Sequence, residues 1–519
     1  MTPAVPTPAA RVEAPRWPHH LAAIDLGSNS FRLEIGEAIR GGYRRIDYLK
    51  ETVRLGAGLD ADGLLTEEST QRGLACLARF AHRLSGYALP QVRAVATQTL
   101  REARNRDAFL VRAQSVLGHP IEVISGREEA RLIYAGVARL QPSDARRLVI
   151  DIGGRSTEMI LGAGHKPTQA ESFQVGSVSL SMKCFPDGRL TKNAFRLAQI
   201  AAGAEFEEAL VPFARRHWQE ALGSSGTVGA VSQLLAASGI TDGSVTPAGL
   251  RWCIEQCLRA GHIDSLALPG LKEERRLVIA GGLSILYTLA THFGIEVLRP
   301  ARGALRQGVI FDLDQRRVAE RDPAHAHDMR DASVRELQRR FMVDVQQADR
   351  VGTVADTLYA MVEPRATADL SKLQRHELRR ELAWAAALHE AGMMVSHHDH
   401  HRHSAYVLAH VDAAGFSQSQ QRRLAELVLA QRGSLRKSEP ALANEDFAWQ
   451  VLCLRLAIIK GHARRPIDLS ALTLKRSVDQ ARLGFAPGWV ERNPRTMYLF
   501  NEEVAAWQRN GSLRLSLAV

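Results

Sequence analysis

VIDIGGRSTEMILG (residues 149–162) runs an apolar strand into a glycine-containing turn and out along a second apolar stretch. Its polar residues are Asp151, Gly153, Gly154, Ser156, Thr157 and Glu158, materials for binding metal and phosphate. Small residues let backbone N–H groups approach phosphate oxygens, hydroxyls add donors, and carboxylates hold hydrated divalent cations. Arg155 stands where such a turn most simply takes a third glycine.

The pattern occurs twice. Asp25-Leu26-Gly27-Ser28-Asn29-Ser30 and Asp151-Ile152-Gly153-Gly154-Arg155-Ser156 both read D-[LI]-G-x-x-S at the end of an apolar strand. Two such turns, each in a strand-turn-strand context, predict two similar lobes facing each other across a cleft. For either aspartate alone, ordinary turn chemistry (a carboxylate bonding its own following backbone) is the competing reading.

The 519 residues are too many for a single core. With 45% hydrophobic and 24% charged residues they have the composition of a soluble globular protein. No apolar run reaches the roughly 20 residues of a membrane span, and the Pro- and Ala-rich start lacks the apolar segment of a signal peptide. Five scattered cysteines and no second pair beside Cys253 and Cys257 suit a reducing cytoplasm and no zinc site. The formal charge of +11 favours a polyanionic partner: nucleic acid, an anionic membrane surface or a polyanionic substrate.

Along the chain, strand-turn-strand units precede alternating helices and strands in each half of residues 19–320. From 330 to about 465, apolar residues recur at helical spacing. The last fifty residues, with extended-looking runs such as TMYLF (496–500) and SLRLSL (512–517), predict a small mixed subdomain. The expected divisions are a disordered tail 1–18, lobes 19–138 and 139–320, a helical domain 321–465 and a C-terminal subdomain 466–519.

Three segments carry further chemistry. Glu158 follows Asp151 by seven residues, so a hairpin brings the two carboxylates together as hard ligands for Mg²⁺ or Mn²⁺; a solvent-facing strand glutamate is the alternative. In ISGREEARLIYAGV (124–137), Ser125 and Glu128 match a capping box. That leaves Glu129, about 100° further round the helix, as the candidate general base. Seven histidines, His389, His397, His398, His400, His401, His403 and His410, cluster in a way that suggests metal.

These motifs, with VATQTLREARN, VGSVSLSMKCFPDG, GSSGTVGAV, RPARGA and GALRQGVIFDL, cover most of residues 20–315 in order. Together they resemble the exopolyphosphatase/guanosine pentaphosphate phosphatase family of the actin–hexokinase–sugar kinase superfamily. AALHEAGMMVSHHDHHRHSAYVL (386–408) extends the likeness to the family's long bacterial members. The resemblance implies an α/β fold: two ribonuclease H-like lobes around a cleft, then an all-α HD-like domain and a small mixed subdomain.

By position, it implies Glu129 as catalytic base and Asp151, Glu158 and Asp25 at a Mg²⁺ site. Gly27, Ser28, Asn29 and Ser30 match the first phosphate loop, and Gly153, Gly154, Ser156 and Thr157 the second, with Arg155 within it. Arg101 matches a basic residue at the substrate cleft, although a helix-surface arginine is the simpler reading of that residue alone. Ser224 to Thr227 resembles a segment that lines nucleotide in kinase relatives, or is a glycine-assisted turn.

The family's usual turn has three glycines, so Arg155 is a departure. If the position needs positive φ, arginine costs about 1 kcal/mol or a little more. Its side chain would then lie along a phosphate or obstruct one. Glu390 follows His389 where HD proteins carry Asp, and Asp349 precedes Arg350-Val351 where they carry a histidine ligand. This degeneracy implies a structural or substrate-channel role.

The implied activity is Mg²⁺-dependent, processive hydrolysis of terminal phosphoanhydrides of inorganic polyphosphate by a cytoplasmic homodimer, with neither membrane nor specific nucleic acid as partner. Conversion of pppGpp to ppGpp, or a non-catalytic polyphosphate or alarmone sensor, are the alternatives; a sugar or acetate kinase fits much worse.

Overall fold

The computed structural model describes residues 17, 19–39, 42–321, 328–363 and 372–518. The tail expected over 1–18 lies, but for Trp17, outside the described residues. Residues 14–327 form one compact unit and residues 328–519 another.

The first unit contains two five-stranded sheets of one design. Strands β1 (Leu21–Leu26), β2 (Phe31–Ile39), β3 (Gly42–Glu51), β4 (Val92–Ala96) and β5 (Ile121–Val123) stand in the order β3-β2-β1-β4-β5. Strands β6 (Arg147–Ile152), β7 (Thr157–Ala163), β8 (Lys166–Phe173), β9 (Glu220–Ser224) and β10 (Leu298–Pro300) repeat it as β8-β7-β6-β9-β10. In each sheet an antiparallel meander of three strands adds two parallel strands on the side of the first. The repeat is residue-deep. Asp25 pairs with Arg32 and Asp151 with Glu158, at equal offsets. A register shift follows Ile35 in one sheet and Leu161 in the other, again at equal offsets. These are actin-type ribonuclease H-like lobes.

The helices follow from the apolar spacing between strands. α1 (Glu67–Arg83), α2 (Gln98–Glu102) and α3 (Arg106–Leu117) belong to the first sheet. α1 starts at the Thr66 cap, whose hydroxyl accepts Ser69 N–H. α4 (Gly126–Leu140) follows β5, and α5 (Ser177–Cys184), α6 (Lys192–Phe206), α7 (Gly226–Ala237), α8 (Pro247–Ala260) and α9 (Glu273–His292) surround the second sheet. α10 (Leu305–Arg321) comes last in chain order, yet it packs on α4 and β1.

α4 and α10 lie between the two sheets. Their apolar sides share one core with Leu21, Ala23 and Val95 of the first and Val149, Ile160 and Leu222 of the second. Glycines allow the close approach: a Cβ on Gly308 would stand 1.8 Å from the Leu132 carbonyl oxygen, and one on Gly136 2.4 Å from that of Ala304.

A buried ionic cluster ties the same elements. Asp312 on α10 accepts Arg131 of α4 at 2.6 Å, Arg93 of β4 at 2.7 Å and Arg316 at 2.8 Å. Glu128, expected to complete a capping box, instead pairs bidentately with Arg131 at 2.7 and 2.8 Å. Ser125 does cap α4, accepting Glu128 N–H at 3.2 Å. Arg131 is buried and carries a full charge, so its guanidinium outcompetes the weaker backbone amide as a partner for the Glu128 carboxylate.

The second unit comprises α11 (Met329–Arg340), α12 (Val345–Val362), α13 (Lys372–Leu388), α14 (His400–His410), α15 (Gln418–Ala430), the single-turn α16 (Glu439–Leu442) and α17 (Glu445–Gly461). A sheet of β11 (Leu472–Ser477), β12 (Gln480–Phe485) and β13 (Arg514–Ala518) follows, with the short α18 (Trp489–Arg492) and α19 (Pro494–Asn510) between its last two strands. TMYLF, expected extended, lies in α19: Met497, Phe500 and Trp507 are buried at helical spacing, and Pro494 sits in the first turn, where it costs no hydrogen bond. The sheet shares one core with the helices, Leu474, Leu483 and Leu515 joining Val354, Leu358 and Leu452. His389, His397 and His400 line one pocket, but among the described residues no three of the histidines are arranged to hold a metal ion. Burial pushes His389 down to about 4 while its Nδ1 lies 2.7 Å from the Ala386 carbonyl oxygen, whereas His397 and His398 are exposed.

The Arg cluster holds the Asp312 carboxyl far below its ordinary range despite burial, which opposes it. Its stabilisation is therefore complete above the unfolded carboxylate value of about 3.9 and is lost as pH falls below it. Asp312→Asn is expected to cost about 3 kcal/mol at pH 7. In thermal melts, the gap to the unsubstituted protein should narrow below about pH 4; a gap independent of pH would show that the charge is not what stabilises.

Candidate active site

The two D-[LI]-G-x-x-S turns meet at one cleft of ≈ 430 Å³ within the first unit. Gly27–Ser30 links β1 to β2, and the 153–156 turn links β6 to β7. Gly154 packs so closely on the first turn that a Cβ there would stand 3.1 Å from Ser28 Cβ.

Each turn is anchored by its carbonyls. Ser28 O accepts Gly56 N–H at 2.7 Å and Asn29 O accepts Arg54 N–H at 2.9 Å. Gly153 O accepts Ser177 N–H at 3.0 Å and Gly154 O accepts Val178 N–H at 2.8 Å, both from the start of α5. In a trans peptide the N–H points opposite to its C=O. The amides of Asn29, Ser30 and Gly154 therefore turn away from these anchors, and all three residues line the cleft. Ser30 Oγ is buried there with no hydrogen-bond partner.

Three carboxylates reach this space, Asp25, Asp151 and Glu129. Antiparallel pairing sets Asp25 opposite Arg32, whose guanidinium lies 3.2 Å from its Oδ2, and Asp151 opposite Glu158. The second lobe thus has an acidic pair where the first has an ion pair. Glu129, in the first turn of α4, is buried, and its Oε2 accepts Arg101 NH1 at 2.8 Å.

Burial and like charge act on the acids together. Burial raises Glu129, against Arg101 and with help from Asp25. Asp151 is pushed up to about 7, by burial first and then by Glu129. Glu158 rises through burial, then through repulsion from Glu129 and Asp151.

The carboxylates suit a divalent cation. Among the described residues no group of three or more His, Cys, Asp or Glu side chains is arranged to hold a metal alone. Mg²⁺ asks for less: one or two carboxylates, completed by water and phosphate oxygens. Asp151 and Glu158 fit that demand, since Glu158 Oε2 is buried without a hydrogen-bond partner and Oε1 accepts Ser172 Oγ at 2.8 Å.

Cations surround the acids. Arg32, Arg45, Lys50, Arg275, Arg302 and Arg306 all line the cleft. Arg275 lies over the N-terminus of α7, where a Cβ on Gly226 would fall 2.0 Å from its NH2. Burial, then Arg32, lowers its affinity for a proton. A guanidinium at the positive end of a helix dipole, beside another arginine, is relieved by an anion. The adjoining Ser225 has φ 129°, a strained conformation for a residue with a side chain.

Four expected site residues stand behind this lining rather than in it: Arg101, Arg155, Thr157 and Glu158. Arg101 meets Glu129. Thr157 Oγ1 donates to Val175 O at 2.6 Å. Arg155, expected along a phosphate or in its place, does neither, because Glu102 and the Gly56 carbonyl capture its guanidinium at 2.7–3.1 Å. Its φ is not positive, so the anticipated backbone strain is absent.

Of the cationic rim, Arg302 and Arg306 sit in the quoted RPARGA and GALRQG segments without an expected role, and Arg32 stands at the position equivalent to Glu158. Arg275 had no local signal, since helix packing alone brings it to the cleft.

Paired actin-type lobes around such a cleft are the architecture of the actin-like superfamily. The model of the Ppx/GppA phosphatase family matches residues 38–317, over half of the chain, and that of Ppx/GppA phosphatase domain III matches residues 329–504. The chain belongs to the Ppx/GppA phosphatase family, whose activity is that of a phosphate-releasing hydrolase. Among solved structures it is similar to an exopolyphosphatase from Cytophaga hutchinsonii at 24% identity, covering 57% of this chain and 98% of that one with a TM-score of 0.49. The PPX-GPPA enzyme of Aquifex aeolicus is also 24% identical, covering 56% and 98% with a TM-score of 0.48. No described helix is long and apolar enough to cross a membrane.

Arg275→Ala is expected to weaken binding of inorganic triphosphate, measured calorimetrically in EDTA, by about tenfold or more, the worth of a charged hydrogen bond. Unchanged affinity would place Arg275 outside the anion site.

Proposed function

We propose that this chain is an exopolyphosphatase, hydrolysing the terminal phosphoanhydride of inorganic polyphosphate and releasing orthophosphate. The observation that carries the reading is Glu129, fixed by Arg101 on one oxygen, beside two amide-lined turns and a row of six cations.

Glu129 accepts a proton from water through the oxygen that Arg101 leaves free. Burial raises its basicity, as a general base near neutral pH requires. The water oxygen bonds to the terminal phosphorus, the bridging P–O bond breaks, and the electron pair leaves on the shortened chain. Amides of Asn29, Ser30 and Gly154 and the Ser30 hydroxyl offset charge on the transferring group. Mg²⁺ held by Asp151 and Glu158 would supply further charge neutralisation to the phosphate oxygens.

The rim favours polyphosphate over pppGpp. Tyr48 is the one aromatic residue in the cleft lining, and the guanidinium carbons of Arg45 and Arg306 lie 5.6 and 5.3 Å from its ring centre. A guanine base therefore has no clear aromatic platform, whereas a chain of phosphates needs only the cations. Several cations gripping one chain favour processive release.

Glu129→Gln is expected to lower orthophosphate release from long-chain polyphosphate with Mg²⁺ by about 10²–10⁴-fold, with binding of the chain nearly unchanged. Full activity would remove Glu129 as the base. Faster release from pppGpp than from polyphosphate would give the substrate to the alarmone, and tight binding without release from either would support a sensor.

A further inference from the structure

Arg155 is a member of the second phosphate turn by sequence, but its side chain belongs to the first lobe. The guanidinium donates Nε to Glu102 Oε2 at 2.9 Å, and NH2 lies 2.7 Å from the same oxygen. NH1 donates to Gly56 O at 3.1 Å. That contact reaches the first turn at once, because the Gly56 amide is the anchor of Ser28 O. A Cβ on Gly56 would stand 2.9 Å from Arg155 Cδ, so the aliphatic stem needs glycine beneath it.

Glu102 passes the contact on. Its Oε1 accepts Gln98 Nε2 at 2.5 Å, and Gln98 Oε1 accepts Arg101 through Nε at 2.9 Å and NH2 at 2.6 Å. Arg101 then donates NH1 to Glu129 at 2.8 Å. The Gln98 amide has one acceptable orientation. Flipped, it would present NH₂ to a guanidinium and oxygen to a carboxylate, with repulsion at both ends. The chain of contacts is therefore directional from Arg155 to Glu129.

Arg101 and Glu102 are neighbours on the five-residue α2, and Arg155 holds the Glu102 carboxylate on the far side of Gln98. Without it, Glu102 is an unpaired, half-buried charge one residue from the guanidinium that orients Glu129.

We propose that Arg155 is a positioning residue: it locks the second phosphate turn to the first lobe and, through Glu102, Gln98 and Arg101, fixes the orientation of Glu129. The proposal rests on the reading of Glu129 as general base. It makes the arginine a clasp across the cleft, with no contact to substrate.

The test is a double-mutant cycle on the full chain with long-chain polyphosphate and Mg²⁺, reading kcat and KM separately. Arg155→Gly and Glu102→Gln should each lower kcat about tenfold while KM stays within about threefold. The double variant should be no worse than either single one, since both cut one relay. Arg155→Lys, which retains a cation for Glu102, should recover part of the loss. Multiplicative losses in the double variant, a change confined to KM, or unchanged or raised kcat in Arg155→Gly would overturn the proposal. Glu129→Gln, run alongside, separates the two failures: if it is inactive while Arg155→Gly is fully active, only the relay is wrong. If Glu129→Gln is itself active, the base assignment falls first.

Discussion

Hairpin register is the constraint on which the site depends. Strands leaving and re-entering a four-residue turn must pair residues at fixed offsets, so Asp25 faces Arg32 and Asp151 faces Glu158. A slip of one residue would send these side chains to the opposite face and abolish the site. The first pair is self-neutralising. The second places two carboxylates together in a buried setting where neither ionises easily. That difference turns a duplicated architecture into an asymmetric centre, with acid on one side and anchoring cation on the other.

The sheets must be held at a fixed spacing for the two turns to share one cleft. α4 and α10 do this from between them, brought together by glycines and by the Asp312 cluster. The helix that carries Glu129 at its start therefore also bridges the lobes. Placement of the proposed base and packing of the core are one problem with one solution.

Much of this was legible in the residues. The repeated D-[LI]-G-x-x-S pattern predicts paired lobes, and the strand-turn-strand reading predicts the approach of Asp151 and Glu158. Helix-end physics separates Glu129 from Glu128 only in part. Ser125 does cap the helix, but Glu128 is occupied by Arg131, a partner three residues on whose burial cannot be read locally. The setting of Arg155 is illegible in the sequence for a related reason. Its chain neighbours suggest phosphate, while its partners, Glu102 and Gly56, are distant in sequence and meet it only through the fold. Arg275 was invisible on the same ground. TMYLF looks extended in isolation, but it belongs to a longer helix whose buried Met497, Phe500 and Trp507 recur at helical spacing.

In the proposed reaction, water attacks the end phosphorus of a phosphate chain bound in the cleft. Isotope transfer tests that directly. When long-chain polyphosphate and Mg²⁺ are incubated with the protein in ¹⁸O-water, each released orthophosphate should carry one ¹⁸O by mass spectrometry. The shortened chain should carry none. Label at the new chain end instead, or unlabelled orthophosphate, would place the bond cleavage or the nucleophile elsewhere and contradict the mechanism.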